Sequence, residues 1–200
     1  MDLNPNLFFI VWILIGYFSG SIPTGYWLGR LKGIDLTKIG SGSTGATNVL
    51  RKLGKWPALI TLLVDVLKGF LPICFALKFN LSPGLVVAVA VFCIIGHSKS
   101  IFLNFKGGKS SATSLGILIA ISWKVALITF SIWLIIVFVS KYSSLGSIIA
   151  VPLAPIWMYL FHKPKLYILF VVFAAVYIVL IRHKENIQRL LKGTEPKIGT

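Results

Sequence analysis

Ala112-Thr-Ser-Leu-Gly-Ile-Leu-Ile-Ala-Ile-Ser122-Trp-Lys124-Val-Ala-Leu-Ile-Thr-Phe-Ser-Ile-Trp-Leu-Ile-Ile-Val-Phe-Val-Ser140 carries a single charge, Lys124. A helix needs about 20 apolar residues to cross the hydrocarbon core of a bilayer. The run therefore reads either as one bent element or as two short spans, 112–123 and 125–140. Working outward, apolar stretches recur at 7–28, 57–77, 84–102, 145–161 and 166–181. Counting the central run twice makes seven, and an odd number places the two termini on opposite sides.

Composition agrees with an all-α integral membrane protein, a bundle of about seven transmembrane helices. The 200 residues are 56% hydrophobic and 12% charged, with mean hydropathy +0.89, against roughly 25% charged in soluble domains. Twenty Lys and Arg face five Asp and Glu, a net charge of +15. Those cations are scattered between apolar spans instead of lying on one soluble face. They therefore suit anionic headgroups or substrates and argue against nucleic acid.

Basic residues set the orientation. With the N-terminus outside, the inner segments hold Arg30, Lys32, Lys38, Arg51, Lys52, Lys55, Lys99, Lys106, Lys109, Lys141, Arg182, Lys184, Arg189, Lys192 and Lys197, and the outer ones only Lys78, Lys124, Lys163 and Lys165. The C-terminus is then cytoplasmic. The expected organisation is a single transmembrane domain, 1–200, with cytoplasmic loops 29–56 and 97–111 and a cytoplasmic tail, 182–200. Cys74 and Cys93 lie in apolar runs and suggest neither a disulfide nor a zinc site. No metal or other cofactor is called for.

Two polar runs interrupt the oily background, Gly40-Ser-Gly-Ser-Thr-Gly-Ala-Thr-Asn48 with Arg51-Lys52, and Phe105-Lys-Gly-Gly-Lys-Ser-Ser-Ala-Thr113. The first matches G-x-G-x-x-G with Asp65 twenty residues on, but a dinucleotide fold needs a strand–helix–strand unit around it. Here Asp65 lies inside an apolar span. The second resembles the end of a phosphate-binding loop, yet its required first glycine would fall at Leu103, so ATP hydrolysis is unsupported. What survives is local chemistry. Glycines expose backbone N–H groups, Ser41, Ser43, Thr44 and Thr47 add hydroxyls, Arg51 can bind phosphate bidentately, and Lys106-Gly107-Gly108-Lys109 forms an anion nest at a helix start. Either run also reads as a plain polar loop. Both land on the same face as the basic tail, so one site can draw on all three.

Asp65 and Lys68, three apart in an apolar helix, can pair as a functional group or as a structural clip. His183 and Asn186 share a face if the last span continues as a helix, with His183 a phosphate donor, a base or simply a solvated side chain. His97 reads as a packed polar cap, with no Asp near it. No triad, zinc cluster or carboxylate pair assembles from Asp35, Asp65, Glu185 and Glu195, so a substrate would have to arrive already activated.

Three motifs together carry a resemblance: Gly40-Ser-Gly-Ser-Thr-Gly-Ala-Thr-Asn-Val-Leu-Arg51 with Leu53-Gly-Lys55; Gly96-His97 leading to Phe105-Lys-Gly-Gly-Lys109 and Ala112-Thr113; and Arg182-His183 through Asn186, Arg189, Gly193 and Glu195. From about residue 20 to the end, the chain resembles the bacterial acyl-phosphate:glycerol-3-phosphate acyltransferases. The resemblance implies transfer of a fatty acyl group from acyl phosphate to the 1-hydroxyl of glycerol 3-phosphate, giving lysophosphatidic acid and phosphate at the cytoplasmic face of the bacterial inner membrane. It further implies Ser41, Arg51, Lys109, His183 and Asn186 as catalytic groups, and Gly42, Ser43, Thr47, Asn48, Lys106, Gly107 and Gly108 as substrate-binding ones. The proton would go to His183 or to the substrate's own phosphate. The chain departs from the family pattern at Ser43, where Asn is expected, at Ser100 for Pro, and at Ser110-Ser111 for Gly-Val. Phe102, five residues after His97, keeps the chain clear of the H-x4-D acyltransferases. A small transporter of organic phosphates is the competing reading of the same loops.

Overall fold

The computed structural model describes residues 4–198; residues 1–3 and 199–200, the outermost parts of the expected domain and tail, lie outside the described residues. The chain folds into helices α1 (Pro5–Ser21), α2 (Thr24–Leu31), α3 (Ala46–Leu53), α4 (Lys55–Lys78), α5 (Pro83–Ser98), α6 (Ser111–Ser140), α7 (Ser143–Leu160), α8 (Lys165–Val176) and α9 (Lys184–Leu191). A 3-10 turn, Ile101–Leu103, follows α5, and a π-helical turn, Tyr177–Arg182, extends α8. Among the described residues, five stretches are long and apolar enough to cross a membrane: Pro5–Leu31, Lys55–Lys78, Ser111–Ser140, Ser143–Leu160 and Lys165–Arg182. Helix α5, at 16 residues, is shorter.

Three expected spans change shape for local reasons. The run 7–28 breaks at Ile22-Pro23, because proline lacks the N–H that a continuing helix needs, and α2 restarts at Thr24. The run 84–102 stops at Ser98, after which Asn104 and Phe105 take left-handed φ of 50° and 60°. Helix α6 loses helical geometry at Ser122 (φ −161°, ψ 90°). Thirty residues in a straight helix would reach about 45 Å, yet Ser111 at its start and Ser143 just past its end line one cavity, as do Leu115 and Thr129. The chain therefore doubles back at Ser122, and the two halves expected from the sequence are the limbs of a hairpin.

Helix α5 lies at the centre, with Val86, Val89, Ala90 and Cys93 buried among Ile73 and Ala76 of α4, Ile117 and Val125 of α6, Met158 of α7 and Phe170 of α8. In lipid, helices gain little by hiding apolar surface from one another, so close backbone approach decides packing. Between α1 and α5 that approach requires glycine. A Cβ on Gly16 would meet the Val89 carbonyl oxygen at 2.7 Å, one on Gly20 would strike the Cys93 carbonyl, and one on Gly96 the Tyr17 carbonyl. Outward faces are apolar, including Leu63, Leu71 and Phe75 of α4, Phe138 of α6 and Phe173 of α8. Trp12, in contrast, packs into the core. A second cluster, Leu36, Val49, Leu53 and Ala58, pins α3 and the preceding loop against the start of α4.

Gly20→Val is expected to destabilise the purified protein by about 1–3 kcal/mol, the usual range for overpacking a filled interface, read as a fall in its thermal midpoint. Gly84→Ala, with nothing within 4 Å of the added Cβ, is expected to leave the midpoint unchanged or slightly raised. Equal losses for the two would contradict the glycine-dependent approach of α1 and α5.

Candidate functional site

The first glycine run is a folded loop organised by one side chain. Asn48, fully buried in α3, donates through Nδ2 to the carbonyls of Leu36 (3.3 Å), Ile39 (3.2 Å) and Ser43 (2.8 Å) and accepts the Ser41 N–H at 3.2 Å. Gly40 and Gly42 sit at φ of 60° and 66°, where glycine carries no steric cost. A Cβ on Gly40 would strike Asn48 Oδ1. The amide thus holds the Ser41 and Ser43 backbone in place.

The second run is clamped from both sides. The Gly108 N–H donates to the His97 carbonyl at 3.1 Å. A Cβ on Gly107 would strike that carbonyl, and one on Gly108 would strike His97 Nε2. On the other side, Arg182 donates from Nη2 to the Gly108 carbonyl at 2.7 Å and to the Gly107 carbonyl at 3.2 Å. Ser110, standing where the family pattern has glycine, adopts the left-handed conformation (φ 65°) at the cap of α6. Its hydroxyl donates to the Ile94 carbonyl at 3.1 Å, which offsets part of the cost of that conformation. Lys109 lies between the clamp and this cap.

The tail closes the third side. The π-helical turn at Tyr177–Arg182 delivers His183, whose Nδ1 shares a proton with the Ile178 carbonyl at 2.9 Å. A carbonyl only accepts, so the proton sits on Nδ1 and Nε2 is the ring nitrogen left to a ligand. Glu195 returns to accept from Ser144 Oγ and Asn186 Nδ2 on Oε1, and from Arg189 Nε on Oε2, each at 2.7 Å. Arg51 ties the last residues down, donating to the carbonyls of Pro196 (2.7 Å) and Lys197 (3.3 Å).

All three segments border one cavity of about 200 Å³. Of the residues expected from the sequence, Ser41, Ser43, Thr47, Asn48, Arg51, Lys109, His183 and Asn186 line it. Gly42, Lys106, Gly107 and Gly108 do not. Gly42 and Lys106 are exposed, and the two loop glycines stand behind the wall. The wall also includes Asp65, His97, Thr129, Ser143, Ser144 and Glu195, which the sequence reading did not assign to it. Thr47 Oγ1 meets Ser143 Oγ at 3.0 Å. The expectation that His97 has no Asp near it is wrong. Asp65 Oδ1 of α4 lies 3.7 Å from His97 Nδ1, a proximity between separate helices that no local spacing encodes. The lining also includes the apolar side chains of Leu62, Leu115, Phe130, Trp133, Ala150 and Val151.

Charge is unevenly matched here. Both carboxylates of the wall are engaged, Asp65 with Lys68 Nζ (2.7 Å) and Glu195 with Arg189. Burial pushes the Glu195 carboxyl up, but the hydrogen bonds from Ser144, Arg189 and Asn186 outweigh it and hold the group below its ordinary value. Among the described residues, Arg51 and Lys109 form no ion pair. Burial pushes Lys109 down to about 8, only partly opposed by the field of Glu195. Burial likewise lowers His183 to about 4, so its ring is neutral at physiological pH. The cavity therefore presents two cations and a neutral imidazole, the electrostatics of an anion site.

Lys109 is charged below pH 8 and neutral above it, so affinity for inorganic phosphate, measured by calorimetry on the purified protein, is expected to fall by up to about tenfold per unit above pH 8. Lys109→Arg keeps its charge and is expected to bind phosphate equally at pH 7 and 9.5. A wild-type affinity unchanged between those values would contradict this account of Lys109.

Known proteins resemble this chain over most of its length. The glycerol-3-phosphate acyltransferase family model matches residues 10–193. A glycerol-3-phosphate acyltransferase of Synechococcus sp. (strain JA-3-3Ab) is 51% identical over 185 residues, covering 92% of this chain and 90% of the relative. One from Thermotoga petrophila is 44% identical, covering 93% and 94%. Among solved structures, the glycerol 3-phosphate form of PlsY, an integral membrane glycerol 3-phosphate acyltransferase, superposes with a TM-score of 0.91 at 37% identity, covering 96% of each chain. Its lysophosphatidic acid form gives 0.88 at 36%, with the same coverage. With matches across nearly its whole length, the chain belongs to the glycerol-3-phosphate acyltransferase family.

Proposed function

We propose that this chain transfers a fatty acyl group from acyl phosphate to the 1-hydroxyl of glycerol 3-phosphate, giving lysophosphatidic acid and inorganic phosphate. The observation that carries the reading is one cavity whose wall combines Arg51 and Lys109, which form no ion pair among the described residues, with the apolar side chains of Leu115, Phe130 and Val151. Family membership supports it, as do the glycerol 3-phosphate and lysophosphatidic acid forms of the solved relative.

In this reading the cations and loop N–H groups hold the two phosphates, and Ser41, Ser43 and Thr47 hydrogen-bond the polar ends. Gly42, Asn48, Gly107 and Gly108 shape the loops, and exposed Lys106 draws anions toward the entrance. Asn186 and Glu195 secure the tail behind them. The acyl chain lies along Leu115, Phe130 and Val151. The glycerol hydroxyl oxygen attacks the acyl carbonyl carbon, and the carbonyl's bond to the phosphate oxygen breaks. Inorganic phosphate leaves, its charge held by Lys109 and Arg51. Acyl phosphate is already activated, so positioning and charge stabilisation can supply the rate without a covalent nucleophile. The hydroxyl proton passes to a substrate phosphate, because an imidazole lowered to about 4 is a weak base at neutral pH. His183 Nε2 instead accepts a hydrogen bond that orients the acceptor. Seven crossings, with the N-terminus outside and the site facing the cytoplasm of a bacterial inner membrane, suit the reversal at Ser122 and the distribution of basic residues.

Purified wild type given acyl phosphate and labelled glycerol 3-phosphate is expected to make lysophosphatidate, with Arg51→Ala reduced at least 100-fold. Absence of product would overturn the reading. His183→Gln is expected to lose only a few fold with the acid limb of kcat/KM unchanged; loss of that limb would restore the histidine base.

A further inference from the structure

Beneath the second glycine loop lies a buried trio drawn from two helices. Asp65 and Lys68 of α4 pair at 2.7 Å with both side chains under 5% exposed. Lys68 Nζ also donates to the Ile22 carbonyl at 2.8 Å, at the break after α1, which fixes the ammonium and with it the carboxylate. His97, near the end of α5, directs Nδ1 toward Asp65 Oδ1, 3.7 Å away, and that nitrogen has no hydrogen-bond partner. Its opposite edge, Nε2, lies against Gly108 so closely that no Cβ fits between them, while the His97 carbonyl accepts the Gly108 N–H. A clip between Asp65 and Lys68 has no need of an imidazole. A loop pressed onto that imidazole does depend on where the ring stands, and the Asp65 oxygen facing Nδ1, a polar contact longer than a hydrogen bond, restrains the ring on that side.

We infer that Asp65 is a positioning residue: it orients His97, and the His97 ring and carbonyl set the Gly107–Gly108 backbone and thereby the aim of Lys109 into the cavity. The kinetic form of this inference rests on the acyl-transfer reading above.

The test separates clip from positioning. Replacing a buried ion pair by apolar residues of similar volume is often tolerated, so Asp65→Leu/Lys68→Met removes both charges while keeping the helix packed. It is expected to raise KM for glycerol 3-phosphate, and its calorimetric Kd, by about 10–100-fold, the scale of a misplaced binding group, with a smaller change in kcat. Asp65→Asn/Lys68→Met, which keeps an acceptor opposite Nδ1, is expected to recover most of the affinity. Adding His97→Gln to the leucine variant is expected to raise KM no further, since the two act through one contact. Asp65→Ser/Lys68→Met takes the place of the leucine variant if that protein does not fold. Wild-type KM and Kd in the apolar variant, or effects of His97→Gln that multiply with it, would overturn the inference. A wild type that binds glycerol 3-phosphate but makes no lysophosphatidate would overturn the acyl-transfer reading and leave the binding test standing.

Discussion

Arg51 and Lys109 are held in a cavity whose two carboxylates are occupied elsewhere, Asp65 by Lys68 and Glu195 by Arg189. Taking a cation out of water without a partner is costly. The chain tolerates it because each cation stays partly accessible, and Arg51 also donates to two tail carbonyls. What remains unsatisfied is charge, which in the proposed function an anionic substrate supplies. The lowered pKa of Lys109 is the trace of that arrangement in the protein alone.

The surrounding architecture keeps those cations in register. Asn48 shapes one loop, His97 and Arg182 clamp the other, and Glu195 gathers Ser144, Asn186 and Arg189 so that the tail can return to Arg51. Each holds backbone or a neighbouring side chain in place while the substrate meets something else. In the proposed acyl transfer, whose donor is already activated, such precision of placement replaces a nucleophile.

Much of this was legible in the sequence. The apolar runs, and the glycines flanked by hydroxyls and cations, follow from local composition and periodicity. The resemblance of three motifs then tied them to one chemistry. Contacts across the chain were not legible. Glu195 to Ser144 spans 51 residues, Asp65 to His97 joins two helices, and no spacing rule reaches either. Exposure was also hidden: Lys106 and Lys109 look equivalent in the motif, but only Lys109 is turned into the cavity. The 112–140 run was legible as bent or divided, but the break's place at Ser122 was not, because serine and tryptophan in an apolar run are compatible with a straight helix. Only the shared cavity of Ser111 and Ser143 reveals the reversal.

We place Arg51 and Lys109, which form no ion pair among the described residues, as the groups that hold substrate phosphate. A crystal structure of this protein with glycerol 3-phosphate tests it most directly. The account predicts phosphate oxygens within hydrogen-bond distance of Lys109 Nζ or the Arg51 guanidinium, inside the cavity and beside the glycine loops. Glycerol 3-phosphate bound with its phosphate away from both cations would contradict it.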